Sequence, residues 1–184
     1  MSSETAAVLP VVDAPDERRE RLAALFDAHE DRLYRLARRL AANADEASDL
    51  VQDTFVRAAA SLAAVPAGFA REEAWLVRVL INIQRDLWRK KSVRRRAASM
   101  LRADATAYPA TVESALVARR TVWAALDRLR PRRRAIVVMH ELEGMTPAAI
   151  ASLLGVTVMT VRWHLSMGRR DLREVLAPHL GDKK

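Results

Sequence analysis

Apolar residues return at three- and four-residue intervals along most of this chain, and that spacing predicts helices rather than strands. Leu22, Leu25, Phe26, His29, Leu33, Leu36 and Leu40 share one face of a first helix, from about Asp16 to Ala41. Asn43 and Asp45 mark a break and a fresh N-terminus. The next segment, DEASDLVQDTFVRAAASL, turns Ala47, Leu50, Val51, Thr54, Phe55 and Ala58 inward, leaving Glu46, Asp49, Gln52 and Asp53 outside. AVPAGFARE, with Pro66 and Gly68, predicts a loop. A third helix follows from about Glu72 to beyond Lys91. At 100° per residue, Leu76, Val79, Leu80, Ile83 and Leu87 share its apolar face. Arg78, Asn82, Arg85 and Arg89 form a stripe opposite, with Trp75 at its edge.

Small residues and Tyr108-Pro109 predict a tether over Asp104 to Thr111. Beyond it, Leu116, Trp123, Leu126 and Leu129 define another amphipathic helix, and Pro131 pre-sets the first turn of a helix that ends at Gly144. The segment MTPAAIASLLGVTVMTVRWHLSMGRR then reads as two short helices around Gly155. Thr146 suits the cap and Pro147 the first helical position, while Ala149 leaves out the reciprocal half of a capping box. Ala151, Gly155 and Val161 supply a small contact residue, a left-handed turn and a branched lock; Ile150, Leu154, Val156 and Leu165 fill the remaining inward positions. Val158 and Leu172 also face inward. Met159, Trp163, Ser166 and Arg170 face outward, with Arg162 on the flank. In such a helix-turn-helix the second helix is built to enter the major groove of DNA. The expected fold is therefore all-α: two small helical domains on a flexible linker, the C-terminal one containing the helix-turn-helix. The expected divisions are an arm over 1–15, a first domain over 16–98, a linker over 99–111, a second domain over 112–178 and a tail over 179–184.

Composition sharpens this picture. Among 184 residues, 31 Lys and Arg against 23 Asp and Glu leave a formal charge of +8, which favours an anionic partner. Cysteine is absent, so disulfide and thiolate chemistry are excluded. No apolar run is long enough to cross a bilayer, and the N-terminus lacks the basic start and apolar core of a signal peptide. A cytoplasmic protein without membrane insertion is expected. The four histidines lie on different elements at spacings unsuited to zinc, and His29 reads as a core residue. No nucleophile–base set or glycine-rich phosphate cradle is present. Neither an enzyme, nor a cofactor, nor a metal is expected.

The arginine stripe, extended by Lys90, Lys91, Arg94, Arg95 and Arg96, can neutralise phosphates with release of counterions. Asn82 offers an amide to a base edge and Trp75 a stacking face, the combination a binder of melted DNA needs. The competing reading is a solvated face with Trp75 in the core. Asp49, Gln52 and Asp53 are equally open between a solvated row and a dock for a basic protein.

The segments HEDRLYRLARRL, DEASDLVQDTF, AWLVRVLINIQRDLWRKK and LRPRRRAIVVMHELEGMTPAAIASLLGVTVMTVRWHL occur in that order. Together they resemble a bacterial RNA polymerase sigma factor of the sigma-70 family, in the short two-domain form of the extracytoplasmic-function (ECF) group. The resemblance runs from about Leu25 to Leu176. It implies that Asp49, Leu50, Gln52, Asp53 and Phe55 grip the clamp helices of the largest subunit of core RNA polymerase. It implies that Trp75, Arg78, Asn82, Arg85, Asp86 and Arg89 open and read the −10 element of promoter DNA. The loop with Pro66, Gly68, Phe69 and Arg71 corresponds to the one that captures a flipped base, where a shaped pocket offsets the unstacking cost. Thr157, Met159, Thr160, Arg162, Trp163, Ser166, Met167 and Arg170 fall at −35-reading positions, on a domain that sits on the polymerase flap. An anti-sigma factor covering the polymerase-binding surfaces is also implied.

The chain departs from the family in the recognition helix, where Trp163, His164 and Met167 replace a Ser-Arg pair and a further Arg. Fewer guanidinium forks mean fewer bidentate contacts to guanine, each worth about 1–3 kcal/mol of discrimination. Met159 and Trp163 can instead meet thymine methyls, or Trp163 can pack into a protein interface. Two other readings remain: a stand-alone helix-turn-helix regulator, which leaves DLVQDTF and the cationic helix unexplained, and a sigma-like interaction module without promoter selectivity.

Overall fold

Helix α1 (Pro15–Leu40) starts on the acidic pair Asp16 and Glu17 and ends on Arg38 and Arg39, the charge order that a helix dipole favours. It buries Leu25, His29, Leu33, Leu36, Ala37 and Leu40. A computed structural model describes residues 15–101 and 114–180, with side chains over 15–93 and 121–177. The predicted arm, most of the predicted linker and the end of the predicted tail lie outside the described residues. So do the side chains of Arg94, Arg95, Arg96 and Leu116.

Helix α2 (Ala44–Ala60) starts where Asn43 predicts it: Asn43 Oδ1 accepts from the Glu46 amide at 2.8 Å. The Glu46 carboxylate accepts in return from the Ala42 amide at 3.1 Å. Its buried residues are the inward set read from the sequence: Ala47, Leu50, Val51, Thr54, Phe55 and Ala58. Thr54 is satisfied inside the core because its hydroxyl donates to the Leu50 carbonyl at 2.7 Å.

The predicted loop is shorter than its composition suggests. A 3-10 turn occupies Leu62–Ala64, and helix α3 (Phe69–Leu101) already begins at Phe69. Gly68, at φ 105°, turns the chain in a region L side chains avoid. Its amide donates to Glu72 Oε1 at 3.2 Å, so the new helix satisfies its own entry. Arg21 pins the approach by donating to the Val65 carbonyl at 2.8 Å.

Helix α3 also buries a wider arc than one apolar face. Leu76, Leu80 and Ile83 are inside, but so are Val77 and Ile81, while Leu87 is exposed. On the helical wheel Val77 and Ile81 extend the buried arc towards Arg78, the side that meets the second half of the chain.

That second half comprises α4 (Ser114–Arg128), α5 (Pro131–Val137), α6 (Pro147–Leu154) and α7 (Val158–Leu180). Pro131 opens α5, which continues as a π-helical turn over Val138–Leu142 before Gly144 reverses the chain at φ 68°. Thr146 Oγ1 caps α6 from the Ala149 amide at 3.1 Å, and Gly155 ends it in the left-handed region at φ 63°. Ile150, Ala151, Leu154, Val161 and Leu165 are buried as the motif requires, with Val156 packed against them.

Helices α5 and α6 pack on α3, and α7 packs on α4, α5 and α6. One apolar core therefore runs continuously from Leu25 through α3 to Leu165. The two halves, expected as two domains on a flexible linker, are here closed on each other.

Candidate nucleic-acid and polymerase interface

The acidic row sits on α2. Asp49, Gln52 and Asp53 are exposed on its outer face. Leu50 and Phe55, which the resemblance groups with them, are 2% and 7% exposed and belong to the core rather than to the exposed row. Phe55 also stacks at 4.8 Å on Phe26, which is exposed at the rim of a groove lined by Leu22, Val51 and Val56. Apolar side chains uncovered beside a polar row are the make-up of a protein-docking surface.

At the start of α3, Phe69 is exposed and lies 4.6 Å from the fully buried ring of His29. His29 Nε2 faces Glu72 Oε2 at 3.3 Å, so it is a core histidine tied to the helix entry. Pro66 is half-buried, while Gly68 and Arg71 are exposed. Phe69 and Arg71 belong to the first turn of α3 and not to a loop. Trp75 is half-buried against the core, and so offers only part of its surface for stacking.

The stripe on α3 is divided by the packing of the two halves. Asn82, Arg85 and Arg89 are exposed; Arg85 lies 3.5 Å from Asp86. Arg78 is half-buried and donates to the Leu153 carbonyl of α6 at 3.3 Å. Its guanidinium also lies 3.7 Å from where a Cβ on Gly155 would stand. The turn of the helix-turn-helix therefore covers one end of the stripe.

On α7, Met159 (71% exposed), Arg162, Trp163 (54%), Ser166 and Arg170 face outward, whereas Thr160 and Met167 are half-buried. Thr157 works as the cap of α7, its hydroxyl accepting from the Thr160 amide at 3.1 Å. Trp163 lies under the Arg133 guanidinium, 5.6 Å from ring to cation, and across a cleft from Arg85 and Arg89. His164 beside it is held below the ordinary histidine range, first by burial and then by the charges of Arg133 and Arg132.

Sequence reasoning missed the residues that join the halves. Arg32 of α1 makes a two-pronged pair with Glu143, Nη1 to Oε1 at 3.2 Å and Nη2 to Oε2 at 2.8 Å. Its Nε bonds Glu73 at 3.0 Å, and Arg39 adds a longer contact to Glu143 at 3.6 Å. Burial works against the Arg32 charge, but the bonds to Glu143 and Glu73 outweigh it and raise the pKa. Arg134 is 5% exposed; it pairs with Asp127 and donates to the Arg39 carbonyl at 3.2 Å. Burial lowers its pKa, with Asp127 opposing. These partners lie up to 111 residues apart, and no local spacing announces them.

The comparisons with known proteins agree on a family. Residues 25–102 match the family model for Sigma-70 region 2, and residues 119–172 match that for Sigma-70, region 4. The RNA polymerase sigma-E factor of Streptomyces avermitilis is 31% identical over 80% of each chain. The chain belongs to the ECF sigma factors of RNA polymerase.

The ECF sigma factor SigE of Mycolicibacterium smegmatis is 38% identical over 84% of this chain, and the match spans 61% of that relative's length. SigM of Mycobacterium tuberculosis is 32% identical over 83% of this chain and 75% of the relative. Among solved structures, CnrH in complex with the cytosolic domain of CnrY is similar over 87% of this chain and 90% of that one, at 25% identity and TM-score 0.56. The sigma factor RpoE of Bartonella quintana, solved with the anti-sigma factor NepR, shares the fold at TM-score 0.55 over 92% of this chain and all of that one, at 24% identity. Among the described residues of this sigma factor, no single helix is long and apolar enough to cross a membrane.

Proposed function

We propose that this sigma factor acts in the cytoplasm, binds core RNA polymerase, and directs it to promoters by recognising −10 and −35 elements and stabilising the melted −10 strand. One observation carries the reading: a single chain presents an exposed acidic row on α2, a cationic stripe on α3 and an outward helix-turn-helix face on α7. A stand-alone regulator needs only the last of these.

Asp49, Gln52 and Asp53 dock on the clamp helices of the largest subunit, with the groove at Phe26 and Val56 widening the contact. Arg78, Arg85 and Arg89 hold phosphates, Asn82 reads a base, and Phe69, Arg71 and Trp75 receive an unstacked one. Met159, Arg162, Trp163, Ser166 and Arg170 face the −35 duplex. The functional division is a first domain over 16–98 and a second over 112–178, joined by the linker over 99–111. The tether raises the effective concentration of one domain once the other has bound.

The closed packing adds a requirement. Arg78 is freed for DNA only when α6 leaves α3, so binding to polymerase has to separate the halves. An anti-sigma factor acts on the same surfaces; in support, the RpoE neighbour was solved with one.

The test is transcription by sigma-free core polymerase on genomic templates. The chain should add discrete promoter-dependent transcripts. The absence of any stimulation, where a known sigma factor stimulates, would overturn the reading.

A further inference from the structure

Closure of the two halves creates a cleft that neither half has alone. It is an open cleft of about 540 Å³, with Arg85, Trp88 and Arg89 of α3 on one wall and Arg132, Trp163 and His164 of the second half on the other. Arg130 and Arg133 also line it, and no carboxylate does. Arg85 and Arg133 have acidic partners outside the lining, in Asp86 and Asp171. Arg89, Arg130 and Arg132 have none among the described residues. Three guanidinium groups from the two halves, those of Arg89, Arg130 and Arg132, are thus brought to one cleft without an acidic partner among the described residues, a disposition that favours uptake of a polyanion.

The chemistry of the walls narrows the ligand. The Trp163 indole is exposed into the cleft and Trp88 is half-buried on the facing wall. Flat aromatic surfaces beside arginine forks suit a nucleobase joined to phosphates. His164 Nδ1 is buried without a hydrogen-bond partner. The cleft volume lies in the range of small-ligand sites.

We propose that this cleft binds a nucleoside polyphosphate, its phosphates on Arg89, Arg130 and Arg132 and its base against Trp163. Because the ligand bridges α3 to α5 and α7, it stabilises the closed arrangement, and does so increasingly as its concentration rises above its dissociation constant. It thereby opposes the opening that promoter binding requires.

The test is calorimetric titration of the free full-length chain with GTP, ATP and inorganic triphosphate, without polymerase or DNA. Its outcome is therefore separate from that of the promoter reading. One-to-one binding is expected, with inorganic triphosphate at least tenfold weaker than the better nucleotide. The double substitution Arg130→Ala and Arg132→Ala, at exposed positions, should weaken nucleotide binding at least tenfold without moving the thermal midpoint. The control pair Arg35→Ala and Arg38→Ala removes equal charge from the exposed face of α1 and should leave binding within twofold. No binding at millimolar nucleotide, equal binding of inorganic triphosphate, equal loss in the control pair, or binding only to a longer single strand would each overturn the proposal.

Discussion

Arg32 and Glu143, separated by 111 residues, meet through two parallel hydrogen bonds that tie α1 to the turn before the helix-turn-helix. Glu143 is nearly buried there and Arg39 also leans on it. Glu143→Gln removes the charge that both arginines face. Breaking a charge-assisted pair of this kind should cost the closed arrangement about 1–3 kcal/mol. Small-angle scattering of the free variant should give a larger radius of gyration. Its apparent affinity for core polymerase should rise by between about fivefold and 150-fold, since each 1.4 kcal/mol moved from closed to open is a factor of ten. An unchanged radius would show that the pair is not a latch.

Gly168 is a helix-interior glycine with a packing reason. A Cβ there would stand 2.6 Å from Val137 Cγ2 and 3.3 Å from Arg133 Cγ. Gly168→Ala should therefore destabilise by about 1–3 kcal/mol, although alanine is the better helix former. Adding Val137→Ala should recover part of that loss, and urea unfolding of the single and double variants measures the coupling.

The local geometry of this chain was legible because it obeys local rules. The inward set of α2, the Asn43 cap, the Thr146 cap and the Gly155 turn all follow from periodicity and side-chain hydrogen bonding within a few residues. What spacing does not reveal is contact between distant segments. Val77 and Ile81 lie beside the apolar face of α3 in the sequence pattern, yet both are buried in a helix on which α5 and α6 pack, and Gly168 reads as a weak helical position until α5 lies against it. Leu50 and Phe55 fall in the DLVQDTF segment that carries the resemblance, yet they are core residues behind the exposed row. Pro66 and Gly68 dominate the composition before the third helix and predict a start near Glu72, while the helix begins at Phe69 because Glu72 satisfies the Gly68 amide from four residues on. Trp163 reads as outward from the wheel, but no local spacing reveals that Arg85, Trp88 and Arg89 of α3 line the cleft opposite it.

The Asn43 cap gives a simple check on α2. Asn43→Ala should cost about 0.5–2 kcal/mol in unfolding free energy, because the Glu46 amide loses its acceptor. Asn43→Ser, which keeps an acceptor at the cap, should cost much less. Equal losses would mean that Asn43 stabilises by another route.

His164 makes the closed fold sensitive to acid. Burial and the Arg133 and Arg132 charges of α5 depress its pKa, while Arg85 and Arg89 of α3 face the same cleft. The folded value lies below the unfolded value of about 6.5, so the unfolded chain binds more protons between the two. The contribution is complete above the unfolded value and is lost as pH falls through the folded one. Thermal midpoints should drop as pH falls below the free-histidine value of about 6.5, and less in His164→Gln than in the parent chain. Parallel pH profiles would contradict this.

The central claim is that the α3 stripe holds melted promoter DNA, and permanganate reactivity of −10 thymines in the polymerase–sigma–promoter complex addresses it directly. The parent chain should make those thymines reactive. The combined variant Asn82→Ala and Arg85→Ala, changed at exposed positions away from the α2 row, should still bind core polymerase yet lose most of that reactivity. Full reactivity in the variant would contradict the account.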